Sequence, residues 1–372
     1  MAKNGFDADL YLQLQTTEIM KRVKQFDKLY LEVGGKIVDD LHAARVLPGF
    51  DAGAKIKVLQ QLREQIEIIV CVSARDLISG KVRGDAGISY TEETLRIVRF
   101  FRKNDFLVNN LIITLCDQKN VVQKFIKLFE QDQLEVSIHS RTDGYPNNVD
   151  RVVSQNGYGK NSFIKTKRPI VIVTAPGPSS GKMATCLSQI YHEFLHGKRA
   201  GYAKYETFPV WNLPLNHPVN LAYEAATLDL ADENMIDPYH LTKYGIEAVN
   251  YNRDIETFPV LREIFTKIYG HEIYSSPTDM GVNMVASGII DDEIVMSAAR
   301  QEIVRRYYKT RMDYALGKID TLAVERAIRL FKKTNLRLND SIVTQICQDY
   351  KNDLDKRSLE YLKFGSVVDV SL

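Results

Sequence analysis

The sequence predicts an α/β fold with a mostly parallel sheet, and three observations carry that reading. Strand-length runs are almost continuously apolar, amphipathic helical patterns separate them, and one strand leads through a small-residue loop straight into a helix. The runs Leu29–Val33, Ile66–Val72, Val108–Cys116, Val136–His139 and Val149–Val153 are rich in β-branched residues, as expected of strands covered on both faces. Between them, Val122, Phe125, Ile126 and Phe129 recur at helical spacing and give one apolar stripe that suits packing on a sheet. Such alternation implies right-handed crossovers.

A second α/β unit begins at the Pro169 strand and continues to about Ile290, with the stretch PVWNLPLNHPVN read as an ordered loop. From Asp291 the pattern becomes helical. Met296, Ala299, Ile303 and Tyr307 form one stripe, and Val324, Ala327, Ile328 and Phe331 form the next. The expected division is an α/β domain at 1–167, a second α/β unit at 168–290 and a helical domain at 291–372. The pentapeptide ETFPV occurs at Glu206 and again at Glu256, too short a match to establish a repeat.

Composition narrows the function classes. Of 372 residues, 49 are Lys or Arg and 47 are Asp or Glu, so no overall field draws the chain to nucleic acid or to an anionic membrane. The first residues lack the apolar core of a secretory signal, and no apolar run approaches the ~20 residues of a membrane-spanning helix. Cys71, Cys116, Cys186 and Cys347 form no C-x-x-C pair. A cytoplasmic protein with reduced thiols is expected, compatible with homo-oligomerisation and with a small-molecule ligand.

The strongest chemical signal is RPIVIVTAPGPSSGKMATCLSQIYHEF, a buried strand, a small-residue loop and a helix. At a helix start the first N–H groups lack intrahelical partners and the macrodipole favours an anion. Gly177, Pro178, Ser179, Ser180, Gly181, Lys182 and Thr185 are the expected cradle, with Lys182 exposed and reaching a terminal phosphate. The loop departs from G-x-x-x-x-G-K-[ST]: Pro176 replaces the first glycine and Met183 the magnesium-binding hydroxyl. Ser179, Ser180 or Thr185 are the available substitutes. Downstream, KRAGYAKYETFPVWN reads as a second strand carrying Lys204.

This order of strand, Gly-Lys loop, helix and Gly-Tyr-x-Lys strand resembles dethiobiotin synthetase-type ligases over about forty residues. The resemblance implies that Lys182 and Lys204 share the charge of a transferring phosphoryl group. Among the acids that follow, Glu224, Asp229, Asp232, Glu233 and Asp237, only Asp229 and Asp232 share a helical face, and Asp229 is the expected catalytic carboxylate.

Three further clusters fall at strand ends, where open parallel sheets bind ligands. They are Gly34, Gly35 and Lys36 with Arg45, then Lys81–Asp85 with Arg83, and finally Tyr158–Asn161 with Gly159, Lys160 and Asn161. Their convergence on the loop would place a polyanionic ligand in a cleft between domains. His192, Glu193 and His196 have the spacing of a zinc-peptidase helix, but that helix should pack on the sheet, and no metal is assigned.

The strings YLEVGGKIVDDLHAARVLPGF, KVRGDAGISY, DGYPNNVD, GYGKN, NYNRD and SPTDMGVN, together with the loop and Lys204 segments, closely resemble the bacterial family known as domain of unknown function 1846. The resemblance runs from about Gly5 to Tyr314. It implies an α/β protein with a helical domain and no particular reaction, and it implies a further α/β segment in other members, so that part of a site is expected to lie beyond the matching region. The expected function is an enzyme that holds a nucleotide or phosphorylated metabolite, with magnesium compatible, for phosphoryl transfer or ligation. The alternatives are a non-catalytic sensor of such a metabolite and, more remotely, a zinc-dependent hydrolase.

Overall fold

The apolar runs Leu29–Val33, Ile66–Val72 and Ile170–Thr174 form strands buried from end to end. The computed structural model describes residues 4–38, 40–83 and 87–334. Its strands are Lys28–Val33 (β1), Ile66–Ser73 (β2), Leu107–Thr114 (β3), Glu135–Ile138 (β4), Ile170–Thr174 (β5), Ala200–Tyr205 (β6), Asn234–Ile236 (β7), Val249–Tyr251 (β8) and Gly281–Val282 (β9). Seven of them make one all-parallel sheet in the order β4-β3-β2-β5-β1-β6-β9, and β7 pairs with β8 in an antiparallel ribbon. The protein is therefore α/β, as its sequence predicts. Residues on both sides of position 167 share the one sheet, because β5 is hydrogen-bonded to β1 on one side and to β2 on the other.

Alternation along each strand sorts the helices into two layers. Leu29, Leu31 and Val33 face one core, built with helices Ala8–Val23, Ala54–Gln61, Tyr90–Lys103 and Gln123–Gln131. Tyr30, Val171 and Val173 face the other, against helices Lys182–Leu195 and Asn252–Tyr269. A third core joins the Leu41–Val46 and Pro218–Ala226 helices to two long helices, Asp292–Ala315 and Thr321–Lys333. This helical cap follows the expected pattern, with Val295 rather than Met296 buried beside Ala299 and Ile303.

Two local readings change. The run Val149–Val153 is a short helix, Val149–Val152, and not a strand. Asn148 caps it by accepting the Arg151 N–H at 3.0 Å, and the i, i+3 pair Val149 and Val152 is buried. The Pro- and Asn-rich stretch is a loop only as far as His217, where a helix begins at Pro218. Asn220 orders that loop, accepting from the Val210 N–H at 2.8 Å and donating to the Val210 carbonyl at 3.2 Å.

Sheet order also fixes where connections part. From β1 the chain passes along the first face to β2, whereas from β5 it passes through the Lys182–Leu195 helix on the second face to β6. Neighbouring parallel strands thus send their carboxyl-end loops in opposite directions and open a crevice between them.

His139, just beyond β4, gives a stability test. Its ring is buried, Nε2–H donates to the Ser162 carbonyl at 3.2 Å, and Nδ1 has no hydrogen-bond partner among the described residues. Burial pushes its pKa down to about 4. A folded value below the unfolded 6.5 means that the unfolded chain binds more protons in between. The stability is present above about pH 6.5 and lost as pH falls toward 4. Urea unfolding of wild type and His139→Gln at pH 7 and pH 4 should show the variant losing about 3 kcal/mol less over that interval.

Candidate functional site

The loops after β1 and β5 are each held in a defined shape. Gly34 N–H bonds to the Tyr205 carbonyl at 3.0 Å, and the buried Lys55 ammonium donates to the carbonyls of Gly34 and Lys36, both at 3.1 Å, while pairing with Asp40 at 3.2 Å. A Cβ on Gly34 would lie 2.0 Å from Glu206 Oε1, so only glycine leaves that carboxylate its place. After β5, the Ser180 hydroxyl donates to the Gly177 carbonyl at 2.7 Å, and the Thr114 hydroxyl to the Ser180 carbonyl at 2.7 Å. Gly181 has φ +76°, and a Cβ there would press on Thr114; one on Gly177 would meet the Tyr90 hydroxyl at 2.2 Å. Both loop glycines are thus required by packing alone. No acceptor among the described residues takes the N–H groups of Gly181, Lys182 or Met183, which leaves them available to an anion.

Above these loops lies a cleft of about 790 Å³, between the carboxyl edge of the sheet and the helical cap. Gly34, Gly35, Lys36 and Arg45 line it from the β1 side. Arg83 approaches from the loop before the Tyr90–Lys103 helix, and Gly177, Pro178, Ser179 and Lys182 approach from the β5 side. Lys204, at the end of β6, forms part of the floor. Nine lining Lys or Arg face six Asp or Glu among the described residues, so the walls favour an anionic ligand.

Several expected residues behave differently. Ser180 and Thr185 are buried, the first bonded back to its own loop and the second accepting from Cys71 Sγ at 3.5 Å, so neither hydroxyl reaches the cleft. Lys182 is the first residue of its helix, with a side chain only 13% exposed and an ammonium 3.7 Å from Glu32 Oε1. It is not the exposed loop lysine that the sequence suggests. Gly159, Lys160 and Asn161 lie away from the cleft. Asn161 donates to Ser188 on the Lys182–Leu195 helix, and Lys160 sits 3.9 Å from Asp143. Asp232 lines the cleft and pairs with Arg253 at 3.2 Å. The Asp229 side chain lies outside the described residues.

The floor is a compact charged cluster. Lys204 Nζ is 2.6 Å from Asp254 Oδ2 and 3.1 Å from Glu206 Oε2, and lies over the Tyr251 ring. Burial alone would lower the lysine pKa, but Asp254, Glu206 and Glu32 outweigh it and raise the value. Burial, reinforced by Asp254 and Glu32 and opposed by Lys204, raises that of Glu206. Glu32 accepts from the Tyr202 hydroxyl at 2.8 Å. Behind Lys204 a second cavity of about 50 Å³ is lined by Trp211, Asn250, Thr278 and Asn283. An ammonium between carboxylates can stabilise developing negative charge, and a carboxylate of raised pKa can exchange a proton with a bound substrate. No group of three or more His, Cys, Asp or Glu residues is arranged to hold a metal ion among the described residues.

A family model described as domain of unknown function DUF1846, N-terminal, matches residues 4–335. The chain belongs to this family. Similar proteins include the UPF0371 protein of Clostridium tetani, 52% identical over 356 residues, which cover 95% of this chain and 71% of that one. The UPF0371 protein of Fusobacterium nucleatum is 52% identical over 365 residues, covering 95% and 72% respectively. No helix among the described residues of this family member is long and apolar enough to cross a membrane.

Sequence reasoning missed Glu32, Glu206, Asp254, Arg96, Arg306 and His42, all of which line the cleft. A signal existed for two of them. Glu32 is an acid inside an otherwise apolar strand run, and Glu206 directly follows a strand end, where ligands bind. Arg306 reaches the cleft from a helix distant in sequence and carries no local mark.

The zinc-like helix resolves into structural roles. Glu193 turns into the sheet, 2.6 Å from Lys28 Nζ and 3.1 Å from the Tyr30 hydroxyl, with both charged side chains almost fully buried. His192 Nε2 bonds to the Asn161 carbonyl at 2.8 Å, and His196 stacks on Phe163. Glu193→Ala should therefore lower stability by about 3–5 kcal/mol, because it strands a buried ammonium. Denaturant titration checks this; a change below about 1 kcal/mol would show that the pair is solvated.

Proposed function

We propose that this chain is an intracellular enzyme that binds a nucleotide or another phosphorylated metabolite in the cleft and transfers its phosphoryl group or uses it for ligation. The observation that supports this most is the convergence of the Gly177–Lys182 loop, Lys36, Arg83 and Lys204 at one switch point of a parallel sheet. In this reading the phosphate rests on the N–H groups at the start of the Lys182 helix, and Lys182 and Lys204 stabilise charge that develops on the transferred group. Glu206 is the carboxylate placed to take a proton from the acceptor. Magnesium would be held by phosphate oxygens and Ser179, the loop hydroxyl that lines the cleft.

A second reading, a non-catalytic sensor, is favoured by one feature. Met183 stands at the usual metal-binding hydroxyl position, and Ser180 and Thr185 are turned inward. Magnesium-dependent turnover of a bound ligand separates the two.

The test is a thermal-shift screen of nucleotides and sugar phosphates, followed by calorimetric titration. A true ligand at ~100 times its dissociation constant stabilises by about 2.7 kcal/mol. Replacing Lys182 with Met, which keeps the stem and removes the charge, should weaken binding on the order of 10- to 100-fold. A ligand-free melting point somewhat below wild type is also expected, since Glu32 loses its ion partner. If no phosphorylated compound shifts the melting point, or if Lys182→Met binds the best one as tightly as wild type, the reading fails.

A further inference from the structure

The cleft has a second cationic wall, on the helical cap opposite the phosphate loop. Its centre is Glu302, whose side chain is 1% exposed. Arg45 Nε reaches this carboxylate at 3.1 Å, Arg306 Nε at 3.0 Å and Arg305 Nη1 at 2.8 Å, while His42 Nδ1 lies 3.3 Å away. Burial lowers the His42 pKa, so its imidazole is neutral at pH 7. Arg45 and Arg306 bring two positive charges to this one carboxylate. Asp40, which also lines the cleft, is paired with Lys55. Arg45 and Arg306 line the cleft.

Packing alone does not call for this arrangement. One carboxylate balances one guanidinium, and the second cleft-lining arginine leaves a positive charge that an external anion would offset. His42 adds a second sign of an absent partner. With Nδ1–H directed at Glu302, its Nε2 carries a buried lone pair that has no hydrogen-bond partner among the described residues, on a residue that lines the cleft. That atom suits a ligand hydroxyl.

We propose that the cleft takes a small molecule with an anionic group at each end: a phosphate at the Gly177–Lys182 loop, and a second phosphate or a carboxylate at Arg45 and Arg306, with a hydroxyl-bearing sugar-like spacer between. The first half rests on the function proposed above, and the second stands on its own residues. A volume of about 790 Å³ is ample for such a ligand. Arginine suits the second position because its planar fork pairs with either group through two parallel bonds.

The experiment counts anions first and then links them. Inorganic phosphate is titrated by ³¹P NMR against wild type, Lys182→Met and the double variant Arg45→Gln/Arg306→Gln, with near-UV circular dichroism to confirm folding. Wild type should bind two phosphate ions per chain and each variant one. Fructose 1,6-bisphosphate should bind wild type at least about tenfold more tightly than fructose 6-phosphate, and that advantage should vanish in the double variant. A comparable gain for 6-phosphogluconate would identify a carboxylate as the second group.

One ion in wild type, lost in Lys182→Met and kept in the double variant, overturns the second site while the loop reading stands. One ion lost only in the double variant sinks the loop reading and leaves the arginine site. No bound phosphate sinks both, and equal affinity for mono- and bisphosphate overturns the bridging ligand. Arg306→Lys keeps the charge and loses the fork, so it covers the case in which the double variant does not fold. It should weaken the second ion several-fold, and unchanged affinity overturns the assignment.

Discussion

Pairing of β5 with β1 along one edge and with β2 along the other is the constraint on which the cleft depends. Because both neighbours run parallel to it, all three carboxyl ends meet at one edge of the sheet. Each onward connection must then choose a face. The chain leaving β1 takes one face and the chain leaving β5 takes the other, so backbone cannot fill the space between them. Helices from the end of the described chain roof that space, and the charged residues that line it are brought in by these separate routes.

Buried carboxylates organise the cations around the cleft. Glu93 is fully buried and holds Arg83 and Arg96; Glu302 holds Arg45, Arg305 and Arg306; Asp254 and Glu206 hold Lys204; and Glu32 approaches Lys182. Each anchor removes side-chain freedom from a long cation, which lowers the ordering cost of any further contact that cation makes. The anchors also reduce the net field, which distinguishes this cleft from an open basic patch. Glu302 keeps its carboxyl well below the usual carboxylate range in spite of burial, because His42, Arg306 and Arg45 surround it.

The pentapeptide ETFPV shows how far tertiary context governs local structure. At Glu206 it is irregular chain leaving β6, with its glutamate on the cleft floor and Phe208 stacked on Tyr223. At Glu256 the same five residues lie inside the Asn252–Tyr269 helix, which accommodates Pro259 in its interior and buries Phe258 against the sheet. Proline in a helix interior costs about 3 kcal/mol, and the apolar face formed by Phe258, Leu261, Ile264 and Phe265 offsets it.

The sequence by itself determined the fold class, strands β1 to β6, the helical end of the described chain and the position of the loop between β5 and its helix. Each of these is written in local periodicity, in β-branched runs or in a Gly-rich junction. Tertiary structure alone decided that residues before and after 167 share one sheet, that the Val149 run closes into a helix, that Ser180 and Thr185 face inward, and that Lys182 is largely covered. It also decided which distant acids and arginines join the expected glycines and lysines. Strand order is a property of pairing between segments far apart in the chain, and a side chain's direction at a site depends on what packs behind it. Neither leaves a periodic mark in the residues nearby.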